Sequence, residues 1–235
     1  MKKLIALLLA LIMVLSFAAC SKGEPAPDNS GNESSQNEES SSEGESESKS
    51  NEEKLDHIRG SVDGLTYTNT AAEITFAAPE GWVFFNDDEI AALYNLTSEE
   101  LLSEETAEIL ENTNMVYDMY CQNASTGASV NINFENLGLI YGTVLSEESY
   151  LELSKANLES TFSGGGMELV SCETVTASID GKEVPCLDLV INMTDYGFEL
   201  YEKIFVKKAG SFMGCITIGA LSSDEIDQII AGLSL

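Results

Sequence analysis

Residues 167–220 read MELVSCETVTASI-DG-KEVPCLDLVINM-TDYG-FELYEKIFVK-KAGS-FMGCITIGA. The long segments are rich in Val, Ile, Leu, Thr and Phe, residues that fit a pleated, half-buried surface. Each break between them holds a glycine. Asp180-Gly181 is the strongest hairpin signal in the chain, because both central positions of a type I′ turn need positive φ. Thr194-Asp-Tyr-Gly197 and Lys208-Ala-Gly210 supply the other two turns. The stretch predicts an antiparallel meander over Met167–Ile179, Lys182–Met193, Phe198–Lys207 and Phe212–Ala220.

On the C-terminal side, Ser222-Ser-Asp-Glu225 is a capping box. Ile226, Ile229, Ile230 and Leu233 follow at i, i+3, i+4 and i+7, one face of an amphipathic helix. On the N-terminal side, Ser146 caps a helix running to about Phe162, with Glu147 and Glu148 in its first turn and Gly164-Gly-Gly166 at its end. Met115–Gln122 and Ser129–Glu135 predict a hairpin around Ala124-Ser-Thr-Gly127. In its second strand Val130, Ile132 and Phe134 alternate with Asn131, Asn133 and Glu135, so one face is expected buried and the other wet.

Thr97, with Glu100 three residues on, predicts a helical stretch to about Asn112 that buries Leu101, Leu102, Ile109 and Leu110. Asp87 is expected to cap a helix carrying Ile90, Leu93 and Tyr94. Leu65–Tyr67 and Glu73–Ala77 read as short strands with a turn around Asn69. Pro79-Glu-Gly-Trp82 breaks the run, and Val83-Phe-Phe85 continues extended. The fold class is α+β: an antiparallel sheet meander packed with helices, as one domain over residues 57–235.

The stretch from Tyr67 to Trp82, with its Pro-x-Gly-Trp motif, followed by this order of elements resembles the PsbP-like fold. That fold is named for the extrinsic oxygen-evolving subunit of photosystem II and recurs in many bacterial surface lipoproteins. The resemblance covers most of residues 60–235. It implies docking onto larger assemblies rather than catalysis, and carries over no catalytic residue.

Residues 1–56 are of another kind. Lys2 and Lys3 precede an apolar run from Leu4 to Leu15, then Ser16-Phe17-Ala18-Ala19-Cys20. The run is shorter than the ~20 residues a spanning helix needs, and the pattern is that of a secretory signal. Ala18-Ala19-Cys20 resembles the lipobox of bacterial lipoproteins, although Phe17 stands where that motif usually has Leu. The resemblance implies a signal peptide over residues 1–19, cleavage before Cys20 and a diacylglycerol on the Cys20 sulfur. It implies a cell membrane location, lipid-anchored on the extracytoplasmic face. Residues 20–56 then form a Ser/Glu-rich linker. Ser21–Asp56 holds eleven acids against three lysines and no aromatic residue. Such a segment cannot bury enough apolar surface to offset chain entropy, so it is expected to be disordered. It reads as a spacer, or as an acidic interaction tail.

The whole chain has a formal net charge of −29. Its domain has twenty-nine acids against Arg59, Lys155, Lys182, Lys203, Lys207 and Lys208. That argues strongly against nucleic acid as a partner, since phosphate binding needs clustered Lys and Arg. It also opposes docking on anionic lipid, leaving the acyl anchor to hold the membrane.

His57 is the only histidine and sits at the linker edge, which argues against Ser-His-Asp, Cys-His and His-based metal sites. No nucleophile elbow, phosphate loop or dinucleotide fingerprint occurs. No catalytic residue, cofactor or metal is assigned. Asn86-Asp87-Asp88-Glu89 reads as a helix start or a calcium ligand set without EF-hand spacing. Trp82, Phe84 and Phe85 read as core packing, or as a ligand or partner surface.

Beyond Cys20 the cysteines are Cys121, Cys172, Cys186 and Cys215, without zinc spacing. A two-residue turn at Asp180-Gly181 sets Cys172 opposite Leu189 and Cys186 opposite Val175. Cys172 and Cys186 then point to opposite sheet faces and cannot be bridged. Cys121 with Cys215 stays open. The expected function is a non-enzymatic, lipid-anchored extracytoplasmic domain with a protein partner at the cell surface. The alternatives are a ligand- or cation-binding transport accessory and, further off, a carboxylate-based envelope hydrolase.

Overall fold

The computed structural model describes residues 58–93, 115–161 and 167–235. The signal-peptide and linker readings, the helix expected from Thr97 to Asn112 and the Gly164-Gly-Gly166 stop lie outside the described residues. In chain order the described elements begin with β1 (Ser61–Asp63), β2 (Thr66–Asn69), β3 (Ile74–Ala77), β4 (Trp82–Phe84) and α1 (Asp87–Leu93). Next come β5 (Met115–Asn123), β6 (Ser129–Asn136), α2 (Gly138–Val144) and α3 (Glu147–Thr161). The chain closes with β7 (Glu168–Ile179), β8 (Lys182–Met193), β9 (Phe198–Ala209), β10 (Phe212–Ala220), α4 (Ser223–Ile230) and β11 (Leu233–Ser234).

The strands make two antiparallel sheets, a small one in the order β1-β2-β3-β11 and a seven-stranded one in the order β4-β5-β6-β10-β9-β8-β7. The α+β class and the meander are as the sequence predicts. At the β7–β8 turn, Asp180 and Gly181 have φ of 51° and 75°, the left-handed pair a type I′ turn requires. Every residue of β10 is buried. Its central place in the sheet, covered on both sides, explains its continuous apolar run.

One face of the large sheet is dry. Val130, Ile132 and Phe134 of β6, Phe205 of β9 and Ile216 and Ile218 of β10 pack against Tyr67, Ile74 and Phe76 of the small sheet and against Ile226, Ile229 and Ile230 of α4. Burying each such side chain contributes about 1.5–3 kcal/mol. Glycine helps the fit: a Cβ on Gly214 would lie 2.7 Å from Cε1 of Phe134, so the ring occupies the space a side chain would take. The other face carries two separate apolar clusters. Leu187, Leu189, Ile191, Leu200 and Met213 lie beneath Tyr150, Leu151 and Leu158 of α3. Met115, Tyr117 and Tyr120 of β5 pack with Ile90 of α1.

Four local readings change. The side chain that caps α1 is Asn86, not Asp87: Asn86 Oδ1 accepts from Glu89 N at 3.0 Å, and Glu89 Oε2 accepts from Asn86 N at 2.9 Å. That reciprocal box satisfies two amides at once. Asn69 is not a turn tip but the buried end of β2, donating to Ile58 O at 2.6 Å and accepting from Ala72 N at 2.9 Å. Helix α4 ends before Leu233. Gly232 O accepts from Ala77 N at 2.8 Å, and Leu233 pairs with Phe76 as a strand. Leu233 stays in the same core, so the apolar spacing marks its burial correctly and its backbone wrongly. The polar face of β6 is buried rather than wet: Ser129, Asn131, Asn133 and Glu135 are all at most 2% exposed.

The caps at Ser146 and Ser222 form as expected. Ser146 Oγ accepts from Ser149 N at 3.1 Å, and Ser222 Oγ accepts from Glu225 N at 3.3 Å. The β7–β8 register is also as expected, with Cys172 opposite Leu189 and Cys186 opposite Val175. Cys121, Cys172, Cys186 and Cys215 are buried, and none is in a disulfide. Cys121 and Cys186 lie in the dry core, Cys172 and Cys215 in the cluster under α3, so the sheet itself separates both candidate pairs.

Candidate functional site

The aromatic triplet does not form one surface. Trp82 packs edge-on to Phe76 in the dry core, with centroids 6.1 Å apart, and Phe84 packs against the same core. Phe85 turns to the other side and meets Tyr120 edge-on at 4.8 Å. The period-two alternation of β4 and the residue after it separates the rings across the sheet.

A polar network joins the two sheets. Strand β5 has a bulge between Tyr117 and Met119, which re-aims Asp118. Asp118 accepts from the Tyr67 hydroxyl at 2.5 Å, from the Gly60 amide at 2.9 and 3.0 Å and from Asn69 Nδ2 at 3.2 Å. Arg59 lies between Asp118, at 3.7 Å, and Asp87, at 2.9 Å. Burial pushes the Asp118 carboxyl up, against the pull of those donors. Burial, reinforced by the neighbouring Asp118 charge, pushes the Tyr67 hydroxyl far up. The Asp118 carboxyl is well supplied with donors, which makes it a structural clamp. Asn86 and Asp87 are likewise taken up by the cap and by Arg59.

The second polar group is different. On the face of the large sheet away from the small sheet, a stripe of polar residues runs between the two apolar clusters. It comprises Ser129, Asn131, Asn133 and Glu135 of β6, Thr217 of β10 and Glu202 of β9, all buried. At one end it is bonded: Tyr150 of α3 donates to Glu135 at 2.5 Å, and the Cys215 thiol donates to the Tyr150 oxygen at 3.4 Å. Burial holds the Tyr150 hydroxyl well above its ordinary range. At the other end, both carboxyl oxygens of Glu202, the Ser129 hydroxyl and Nδ2 of Asn131 have no hydrogen-bond partner among the described residues. Desolvation by burial pushes the Glu202 carboxyl up to about 8.

Register places these groups. Gly219 pairs with Glu202 on one side and with Ser129 on the other. With strands ~4.8 Å apart, Glu202 and Ser129 stand on one face about 10 Å apart, with no side chain between them. Asn131 is two residues from Ser129 on the same face. Glu135 lies about 20 Å along the strands from Glu202, so the two acids are not a hydrolytic pair. Sequence reading missed this site because Asn131, Asn133 and Glu135 alternate like solvated residues. The signal that could have found it is Glu202 at an inward position of a strand flanked by Leu200 and Ile204.

The third feature is α2, for which the sequence reading has no element. Leu137 and Leu145 at its ends pack toward the α3 cluster. Gly142 presses on the β9–β10 turn, where a Cβ would lie 2.9 Å from Cα of Ser211. That leaves Ile140, Tyr141 and Val144 outward, at 76%, 65% and 73% exposure. Lys208 Nζ donates to Leu145 O at 2.8 Å, closing the helix C-terminal end.

Among the described residues, no group of three or more His, Cys, Asp and Glu side chains is placed to hold a metal, and no helix is long and apolar enough to cross a membrane. No protein-family model matches the chain, and no curated protein does. Among solved structures it is similar to a protein from Bacteroides thetaiotaomicron VPI-5482, with 12% identity and a TM-score of 0.34 over 74% of this chain and 48% of that one. It thus spans about half the length of that protein. It is also similar to the Ran-binding protein Mog1p of Saccharomyces cerevisiae, with 8% identity and a TM-score of 0.36 over 74% of this chain and 96% of that one.

Proposed function

We propose that this chain is a lipid-anchored extracytoplasmic lipoprotein whose domain is a non-enzymatic docking module for a protein at the cell surface. The observation that carries the reading is α2: three large apolar side chains turned to solvent on a short helix pinned by Gly142. A contiguous apolar patch on a strongly acidic surface marks an interaction site. The lipobox at Cys20 supplies the anchor in this reading, and the linker the reach. The PsbP-like resemblance of the Tyr67–Trp82 stretch points the same way.

Photo-crosslinking in the producing cell tests it. A crosslinker at Val144 is expected to give one discrete adduct with a membrane or wall protein. The same crosslinker at Tyr196, in the β8–β9 turn at the other end of the strands, is expected to give none. Equal or absent adducts at both positions defeat the docking reading. Mass spectrometry of the mature N-terminus tests the anchor separately: a diacylated Cys20 is expected, and a bare thiol or an uncleaved leader removes it. The second reading, a small-ligand-binding lipoprotein, is favoured by the unpartnered groups around Gly219.

A further inference from the structure

We propose that the open end of the polar stripe, between Glu202, Ser129 and Asn131 over Gly219, is a buried binding site for a short primary amine carrying a hydroxyl or carbonyl oxygen. The site deepens the small-ligand reading and is independent of docking through α2.

The chemistry follows from what the groups lack. A carboxyl with both oxygens unpartnered asks for donors, and an ammonium brings three. Nδ2 of Asn131 is a donor without an acceptor, and Asn131 Oδ1 accepts from Asn133 Nδ2 at 3.2 Å, which fixes the amide's orientation. An oxygen on the ligand satisfies it, and the Ser129 hydroxyl can serve either partner. Each buried group left unmade costs about 1–3 kcal/mol. Occupancy by a complementary ligand recovers that cost.

The alternatives fit less well. An anion meets the Glu202 carboxyl head-on. Calcium needs six to eight oxygens, typically from several carboxylates, and the stripe offers one unpartnered carboxyl here. An apolar ligand leaves all of these groups unpaired. Gly219, paired with Glu202 on one side and with Ser129 on the other, places no side chain between them, so the ligand proposed is small, a few heavy atoms.

Calorimetry and thermal melting on the purified full chain test the proposal, with ethanolamine, ethylamine and ethylene glycol as probes. Ethanolamine is expected to bind and raise the melting temperature. Ethylamine is expected to bind several-fold more weakly, and ethylene glycol not at all. Glu202→Gln, which keeps shape and removes the charge, is expected to weaken ethanolamine at least tenfold. Ser129→Ala should weaken it less, and serves as the second variant if Glu202→Gln alters folding. Val144→Ser should leave binding unchanged, which separates this site from the docking surface. No binding by either amine, equal binding in Glu202→Gln, or equal binding of ethylene glycol overturns the proposal.

Discussion

Strand β6 shows the two sides of this molecule residue by residue. Val130, Ile132 and Phe134 enter a core made wholly of apolar contacts, while Asn131, Asn133 and Glu135, one position away each time, enter a buried polar stripe. Both sides exclude water, so burial does not distinguish them. Satisfaction does. The dry face contributes its full transfer free energy, whereas the stripe sets unmade hydrogen bonds at Glu202, Ser129 and Asn131 against the packing around them. The Asp118 clamp sharpens the contrast. Its side chain is also withdrawn from solvent, but it has Tyr67, Gly60 and Asn69 as donors. Evidently this fold can saturate a buried acid, and at Glu202 it does not.

The hardest blow to the dry face is Phe134→Ala, which opens a void under Gly214. It is expected to cost about 3–5 kcal/mol, read as a lower urea midpoint with an unchanged slope.

The stripe answers to pH instead. The folded pKa of Glu202, about 8, is raised above the ordinary 4.5. The folded state therefore holds the proton more tightly than the unfolded chain. The stability Glu202 contributes is whole below about pH 4.5 and is lost as pH rises through about 8. Urea unfolding across that window should show a loss on the order of a few kcal/mol in the wild type that Glu202→Gln lacks. Parallel curves for the two proteins would refute the assignment.

Next in size is the clamp. Asp118→Ala strips the acceptor from the Tyr67 hydroxyl and the Gly60 amide, and should cost about 2–3 kcal/mol by the same measurement. Ser222→Ala removes the cap of α4 on the dry side and should cost about 1 kcal/mol. Smallest is the outward face of α2: Ile140→Ser with Val144→Ser should change stability by no more than about 0.5 kcal/mol. A large loss there would mean that α2 belongs to the core rather than to a docking surface.

Legibility followed the range of the interactions. Asp180-Gly181 and the β-rich segments around it announce their meander because turn chemistry and strand propensity act over a few residues, and the register they set separates Cys172 from Cys186. Ser146 and Ser222 announce their helices for the same reason. The alternation in β6 names two faces correctly but not what covers them. Trp82, Phe84 and Phe85 look like a cluster in the sequence, and strand alternation splits them across a sheet. Residues 137–145 space Leu137, Ile140, Tyr141 and Val144 like one helix face, but the segment has no capping side chain at Leu137 and two glycines, Gly138 and Gly142, so α2 was not read from the sequence.

The sequence by itself determined the α+β class, the meander and its register, and the caps at Ser146 and Ser222, since each follows from neighbours in the chain. Only the tertiary structure decided that Asp118 closes on the small sheet, that α2 faces outward, and that Glu202 meets Ser129 across Gly219. Those contacts join residues about 50 or more positions apart, and whether a polar side chain is solvated or stranded depends on what packs over it.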